Sequence, residues 1–188
     1  LPASMLRRLF EALDEHLNIP ADAHKSFEFD PLVMSGGRVD VLAEFGFTHF
    51  SFGIQTLDPE VNKAHNRGPQ NRDTISKRFN ELYSRGLYDV ACDFLLGLAG
   101  TTTESILSDI EWVLEEHKPR IVDVFQIAPT PEYVDLHFGG SLDAFWAHLK
   151  PFQEHAVPAL AEIGERLGYQ VNIDGGHIYT LKRIETPP

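Results

Sequence analysis

The chain has 188 residues, 43% hydrophobic and 23% charged, which is ordinary for one globular domain with a substantial core and excludes the disordered and fibrous classes. Its formal net charge is -12. Acidic and basic residues are interspersed, which argues against nucleic acid as the main partner, and small organic or basic ligands fit better.

The chain opens at Leu1, without an initiator Met, almost directly on a helical pattern, and is expected to begin inside a natural domain. Met5, Leu6, Leu9, Phe10, Leu13 and Leu17 recur at three- and four-residue steps and predict an amphipathic helix from Met5 to Leu17. Ser26 to Phe29 reads as a short strand carrying Glu28 and stopped by Pro31, which cannot donate to a sheet ladder. Val39, Leu42 and Phe45 predict a helix over Arg38 to Phe45, closed by Gly46, and a second strand follows from Thr48 to Ile54. Asp58-Pro59-Glu60 starts a short helix with proline at its first position, ending near Asn66-Arg67-Gly68.

Ile75, Phe79 and Leu82 mark the next helix, ended by Gly86. Val90 to Leu96 is apolar except for Asp93 and reads as a buried parallel strand. Thr101 with Glu104 forms a capping-box pattern for a helix reaching about His117, and Ile121 to Ile127 is a fourth strand. Pro129, Pro131 and Gly139-Gly140 mark a connection, Leu142 to Leu167 reads as helical with interruptions at Pro151 and Pro158, and Tyr169 to Ile173 is a last strand. Strand and helix alternate, the signature of β-α units around a parallel sheet with right-handed crossovers.

Glu28, Gln55, Asp93 and the backbone around Ala128 fall in or just after successive predicted strands. In β-α barrels active sites gather at the C-terminal ends of the strands. Asp93 demands an explanation, because a carboxylate in an apolar strand costs several kcal/mol unless partners or a ligand compensate it. A loop cap or an arginine partner would also satisfy it. Cys92, the single cysteine, excludes an internal disulfide and should point to the opposite face, among the helices, as a small core residue. No signal peptide or apolar run of membrane length is found, so no membrane partner and a cytoplasmic location are expected. The nine histidines show no pair at zinc-motif spacing, and no metal ligand is assigned from sequence. His177 follows a predicted strand end, but an exposed histidine in the glycine-rich turn Asp174 to His177 is the plainer reading. Phe145, Trp146 and Phe152 resemble a buried helix face.

Several ordered motifs over roughly Leu6 to Ala128, and more faintly to Tyr169, resemble the radical S-adenosylmethionine (SAM) enzymes related to oxygen-independent coproporphyrinogen III oxidase. Phe27-Glu28-Phe29-Asp30-Pro31 is similar to that family's third strand. Gly46 to Asp58 resembles a glycine-led turn into a strand ending Gly-Val-Gln-Ser-Phe, and Glu60 to Gly68 continues the likeness. Asp93-Phe94-Leu95-Leu96-Gly97-Leu98-Ala99-Gly100-Thr101-Thr102 is similar to Asp-Leu-Ile-Tyr-Gly-Leu-Pro-Gly-Gln-Thr, with Ala99 in place of the proline. Val124 to Ala128 resembles the strand that ends beside the adenine.

The resemblance implies that Glu28, Gln55, Arg67, Asp93 and Ala128 contact SAM. Its ribose diol and ammonium suit Glu28, Gln55 and Asp93 as acceptors, its carboxylate suits the fork of Arg67, and Ala128 offers backbone and a small apolar surface. The family's Cys-x3-Cys-x2-Cys loop, which binds a 4Fe-4S cluster, and its glycine-rich segment are absent. Both are expected upstream of Leu1, and the chain by itself is expected to be inactive.

The implied fold is α/β: a partial (β/α) barrel of the radical SAM, TIM-barrel-like type with parallel strands. Residues 1–128 would be the later part of the core barrel and 129–188 a C-terminal extension with a helix and a final strand. The implied activity, as an intact oxidoreductase, is generation of a 5'-deoxyadenosyl radical and oxidative decarboxylation of a porphyrinogen in haem biosynthesis. A related methyltransferase acting on another aromatic substrate and a non-catalytic haem carrier are the alternatives, and a metal-free β-α barrel enzyme is a third. An exposed sheet edge predicts association between chains and weak isolated SAM affinity.

Overall fold

A computed structural model of the chain describes residues 1–20, 22–174 and 177–184. Helix α1 (Ala3–His16) leads into strand β1 (Ser26–Phe29), α2 (Gly36–Glu44), β2 (His49–Gln55), α3 (Pro59–Ala64), α4 (Arg72–Tyr83), β3 (Asp89–Leu96), α5 (Thr103–Glu116) and β4 (Ile121–Gln126). Helices α6 (Pro131–Phe138), α7 (Leu142–Pro151) and α8 (Val157–Leu167) follow, then β5 (Tyr169–Asp174) and β6 (Ile178–Arg183).

The six strands form one sheet in the order β1-β2-β3-β4-β6-β5. Strands β1 to β4 are parallel, as the alternation of elements predicts, and they give the expected α/β partial barrel. The sheet is mostly parallel: at its C-terminal end β6, an element the sequence reading did not include, runs antiparallel to both β4 and β5. The sequence carried a signal for this strand, since Ile178-Tyr179-Thr180-Leu181 is a β-prone run that follows two glycines in the chain.

Alternation along the strands separates two faces. Phe50 and Phe52 of β2, Cys92 and Phe94 of β3, Val122 and Val124 of β4 and Leu181 of β6 are fully buried under the helices. Phe79 of α4 meets Phe52 edge-on with 5.0 Å between ring centroids, and Ile110 and Leu160 add the buried faces of α5 and α8. Burying side chains of this size stabilises by ~2 kcal/mol each, so this layer carries the fold.

Local chemistry accounts for the remaining differences. Helix α1 buries only Leu6 and Phe10, leaving Met5, Leu9 and Leu17 exposed, so its apolar stripe is narrower than its composition implied. The capping box of α5 is formed by Thr102 and Ser105, one residue beyond the Thr101–Glu104 pair. The segment read as a connection contains α6, which Thr130 caps, Pro131 starts and Gly139 ends in the left-handed conformation. The interruption between α7 and α8 is a π-helical turn over Phe152–Ala156, beginning straight after Pro151. Trp146 is exposed, whereas Phe145 and Phe152 are buried as predicted.

Candidate functional site

Sheet register assembles the site. Gly53 pairs with Asp93, Asp93 with Asp123 and Asp123 with Thr180, so one row crosses β2, β3, β4 and β6 on the face away from the helices, and Glu28 pairs with Ser51 in the row two residues earlier on the same face. Asp93 is half-buried, and its carboxyl is pushed up to about 6. Burial is the main cause, the carboxylates of Asp123 and Glu28 add to it, and a hydrogen bond with Ser51 opposes it.

The end of β2 brings in the next two groups. Its register shifts between Gly53 and Gln55, and Gln55 takes a left-handed φ of 65°. Such a conformation persists only where its surroundings hold it. Here Asp109 of α5 accepts from Leu57 N at 2.8 Å and from the Thr56 hydroxyl, while Asn62 of α3 donates to Thr56 O at 2.9 Å.

A Cβ on Gly53 would stand 2.4 Å from Gln55 Nε2 and 3.7 Å from Arg67 Nη2, so the amide and the guanidinium both lie over this glycine. Arg67 Nη2 donates to Gly53 O at 3.2 Å, and buried Gln70 donates to the same oxygen at 3.4 Å. Arg67 Nε is buried without a hydrogen-bond partner. A buried donor left unpaired costs about 1–3 kcal/mol, so an acceptor such as a carboxylate is what this corner lacks.

Three of the four polar residues named from sequence thus meet around Gly53, Asp93 on β3, Gln55 at the end of β2 and Arg67 in the loop after α3, while Glu28 on β1 pairs with Ser51 and acts on Asp93 through its charge. Ala128 lies past the end of β4, exposed, its carbonyl accepting from Thr130 N at 2.9 Å. Sequence reasoning missed Asp123, although Ile121-Val122-Asp123-Val124 repeats the Asp93 signal of a carboxylate inside an apolar strand. It also missed Asp109, which no local motif marks.

The turn after β3 shows what Ala99 does. Gly97 takes a φ of 85°, a conformation that favours glycine. Ala99 N then donates to Tyr133 Oη of α6 at 2.8 Å, and its carbonyl lies 2.9 Å from His65 Nε2. His65 stacks on Tyr133 with centroids 5.7 Å apart. A proline at position 99 has no N–H for this bond.

The acceptors on the sheet and the unpaired Arg67 Nε fit SAM, whose ammonium, diol and carboxylate need those partners. They do not fit an iron-sulfur cluster, which needs several thiolates. Cys92 is the chain's single cysteine, fully buried on the helix side, its thiol pushed up by burial.

The model of the Radical SAM superfamily matches residues 3–113. The chain is 27% identical over 121 residues to the oxygen-independent coproporphyrinogen III oxidase of Cereibacter sphaeroides, covering 64% of this chain and 27% of that protein. It is 32% identical over 136 residues to the enzyme of the same name from Pseudomonas aeruginosa, covering 70% and 29%. The chain spans less than a third of the length of these relatives. Among solved structures, coproporphyrinogen III oxidase from Escherichia coli, a radical SAM enzyme, matches 97% of this chain and 40% of its own with a TM-score of 0.78 and 25% identity. The radical SAM methyltransferase TsrM of Kitasatospora setae shares the fold at a TM-score of 0.56 and 14% identity, over 93% of this chain and 30% of its own.

Proposed function

The chain belongs to the radical SAM superfamily, and on that premise we propose that it forms the SAM-positioning part of an oxidoreductase resembling oxygen-independent coproporphyrinogen III oxidase. The observation that carries this reading is the meeting of Gln55, Arg67 and Asp93 around Gly53 at the C-terminal side of the parallel strands, with the Glu28 carboxylate close enough to act on Asp93.

When bound beside a reduced 4Fe-4S cluster, SAM supplies hydrogen-atom abstraction chemistry. The residues of this chain hold and orient it. Arg67, already anchored on Gly53 O, presents its Nε to the carboxylate. Glu28, Gln55 and Asp93 accept from the ammonium and the ribose hydroxyls, and the backbone at Ala128 borders the adenine. With one buried cysteine, the chain leaves the cluster ligands to residues outside these 188. Coproporphyrinogen is the proposed substrate because the relatives named above carry out that oxidation. An aromatic small molecule and no nucleic acid or membrane are the partners this implies; among the described residues no helix is long and apolar enough to cross a membrane.

The test is anaerobic cluster assembly on the protein that carries this chain, followed by SAM, a strong reductant and measurement of 5'-deoxyadenosine. Release of the nucleoside is expected, with the KM for SAM raised roughly 10- to 100-fold by Arg67→Ala, as for loss of a charge-assisted bond of about 1.5–3 kcal/mol. A fully assembled cluster that releases none would overturn the reading.

A further inference from the structure

At the opposite end of the strands, the fold gathers a second set of ligand-type side chains. His49 opens β2 and Asp89 opens β3, and the two are direct cross-strand partners, so their side chains share a face. His24 precedes β1 by two residues. It is held beside them because Lys25 O accepts from Thr48 N and His49 N at 3.3 and 3.4 Å. One ligand atom from each of His24, His49 and Asp89 lies within 4.8 Å of the other two.

The carboxylate is oriented for a further partner. Asp89 Oδ2 accepts from Arg120 Nη1 at 2.9 Å. Its Oδ1 is buried and 3.0 Å from His49 Nδ1, yet no hydrogen bond satisfies it. Metal-binding carboxylates are commonly fixed in this way, one oxygen held by an outer partner and the other free to ligate. Lys25, next to His24 in the chain, is engaged elsewhere, since its Nζ donates to Phe45 O at 2.8 Å. His24 is exposed, so its imidazole is open to solvent and to an incoming ion.

From this geometry we infer that His24, His49 and Asp89 form a binding site for a divalent transition ion of the zinc type, two imidazoles and one carboxylate leaving a fourth position to water. Tetrahedral ligation at ~2.1 Å sets ligand atoms about 3.4 Å apart. His49 and Asp89 already stand closer than that, and exposed His24 closes the remaining gap by a shift of about 1 Å. The ion ties the segment before β1 to the starts of β2 and β3. This site lies a full strand length, ~20 Å, from Gln55, so it is independent of the SAM reading.

Co2+ is the spectroscopic probe. Titrated into the chain, it should give the visible absorption of a four- or five-coordinate ion at one equivalent, abolished by Zn2+. His24→Ala should weaken Co2+ binding at least tenfold, as should His49→Ala, whereas His155→Ala, on the helical segment far from the site, should leave it unchanged. His24 is exposed, so its replacement tests the site even if the His49 variant fails to fold, and thermal melts of each variant check this. Equal Co2+ affinity in the wild type and His24→Ala, or no such spectrum in either, would overturn the assignment.

Discussion

Gly53 and Asp93 are direct partners across β2 and β3, and the side chain that Gly53 lacks leaves the space in which Gln55 and Arg67 lie. The bare backbone of one strand therefore lets a carboxylate, an amide and a guanidinium address the same point.

Gly53→Ala puts a methyl 2.4 Å from Gln55 Nε2, and the amide must move. Because the crowded atom ends a flexible side chain, the melting temperature should fall by only a few degrees. SAM affinity should drop about tenfold, equivalent to about 1.4 kcal/mol. Calorimetric titration and a thermal melt of the same sample separate the two effects; an unchanged affinity would mean that Gln55 takes no part.

Asp93 gives a pH signature. Its carboxyl sits at about 6 in the folded chain, against an ordinary value of about 3.9 when unfolded. Between these values the native state binds more protons, so its favourable contribution is complete below about pH 4 and is lost as pH rises through about 6. Asp93→Asn should therefore be more stable than the wild type at pH 7.5, with the advantage gone at pH 4. Urea denaturation at the two pH values measures this, and an equal difference at both would contradict the burial argument.

The contrast between Asp93 and Asp123 shows what sequence can reveal. Helical periodicity placed α4 and α5 because Ile75, Phe79, Ile106 and Ile110 repeat on one face, and the apolar run around Asp93 marked β3. Asp123 carries the same signal, a carboxylate inside the apolar run Ile121-Val122-Asp123-Val124. β6 was missed because its alternation is short and finishes in Lys182 and Arg183, which read as surface. The Glu28–Ser51 and His49–Asp89 pairings had no local trace, since cross-strand register is set by the whole sheet rather than by spacing along the chain. Asp109 was illegible for a related reason: its role depends on which loop α5 packs against.

Ala99→Pro restores the residue found in similar motifs but removes the N–H that holds Tyr133 Oη. The variant should lose about 1 kcal/mol of stability, the usual worth of one neutral hydrogen bond. Tyr133→Phe should lose a similar amount, and the double variant no more than either alone. Additive losses in denaturant titrations would show that the two groups do not act through this bond.

The most direct test of the central claim is a SAM titration of the chain followed by backbone amide NMR, which registers binding even in the millimolar range. The account predicts saturable shifts concentrated at Glu28, Gly53, Gln55 and Asp93, diminished in Arg67→Ala, with the amides of His49 and Asp89 at the other end of the sheet unmoved. Shifts absent at millimolar SAM, or gathered away from Gly53, would contradict it.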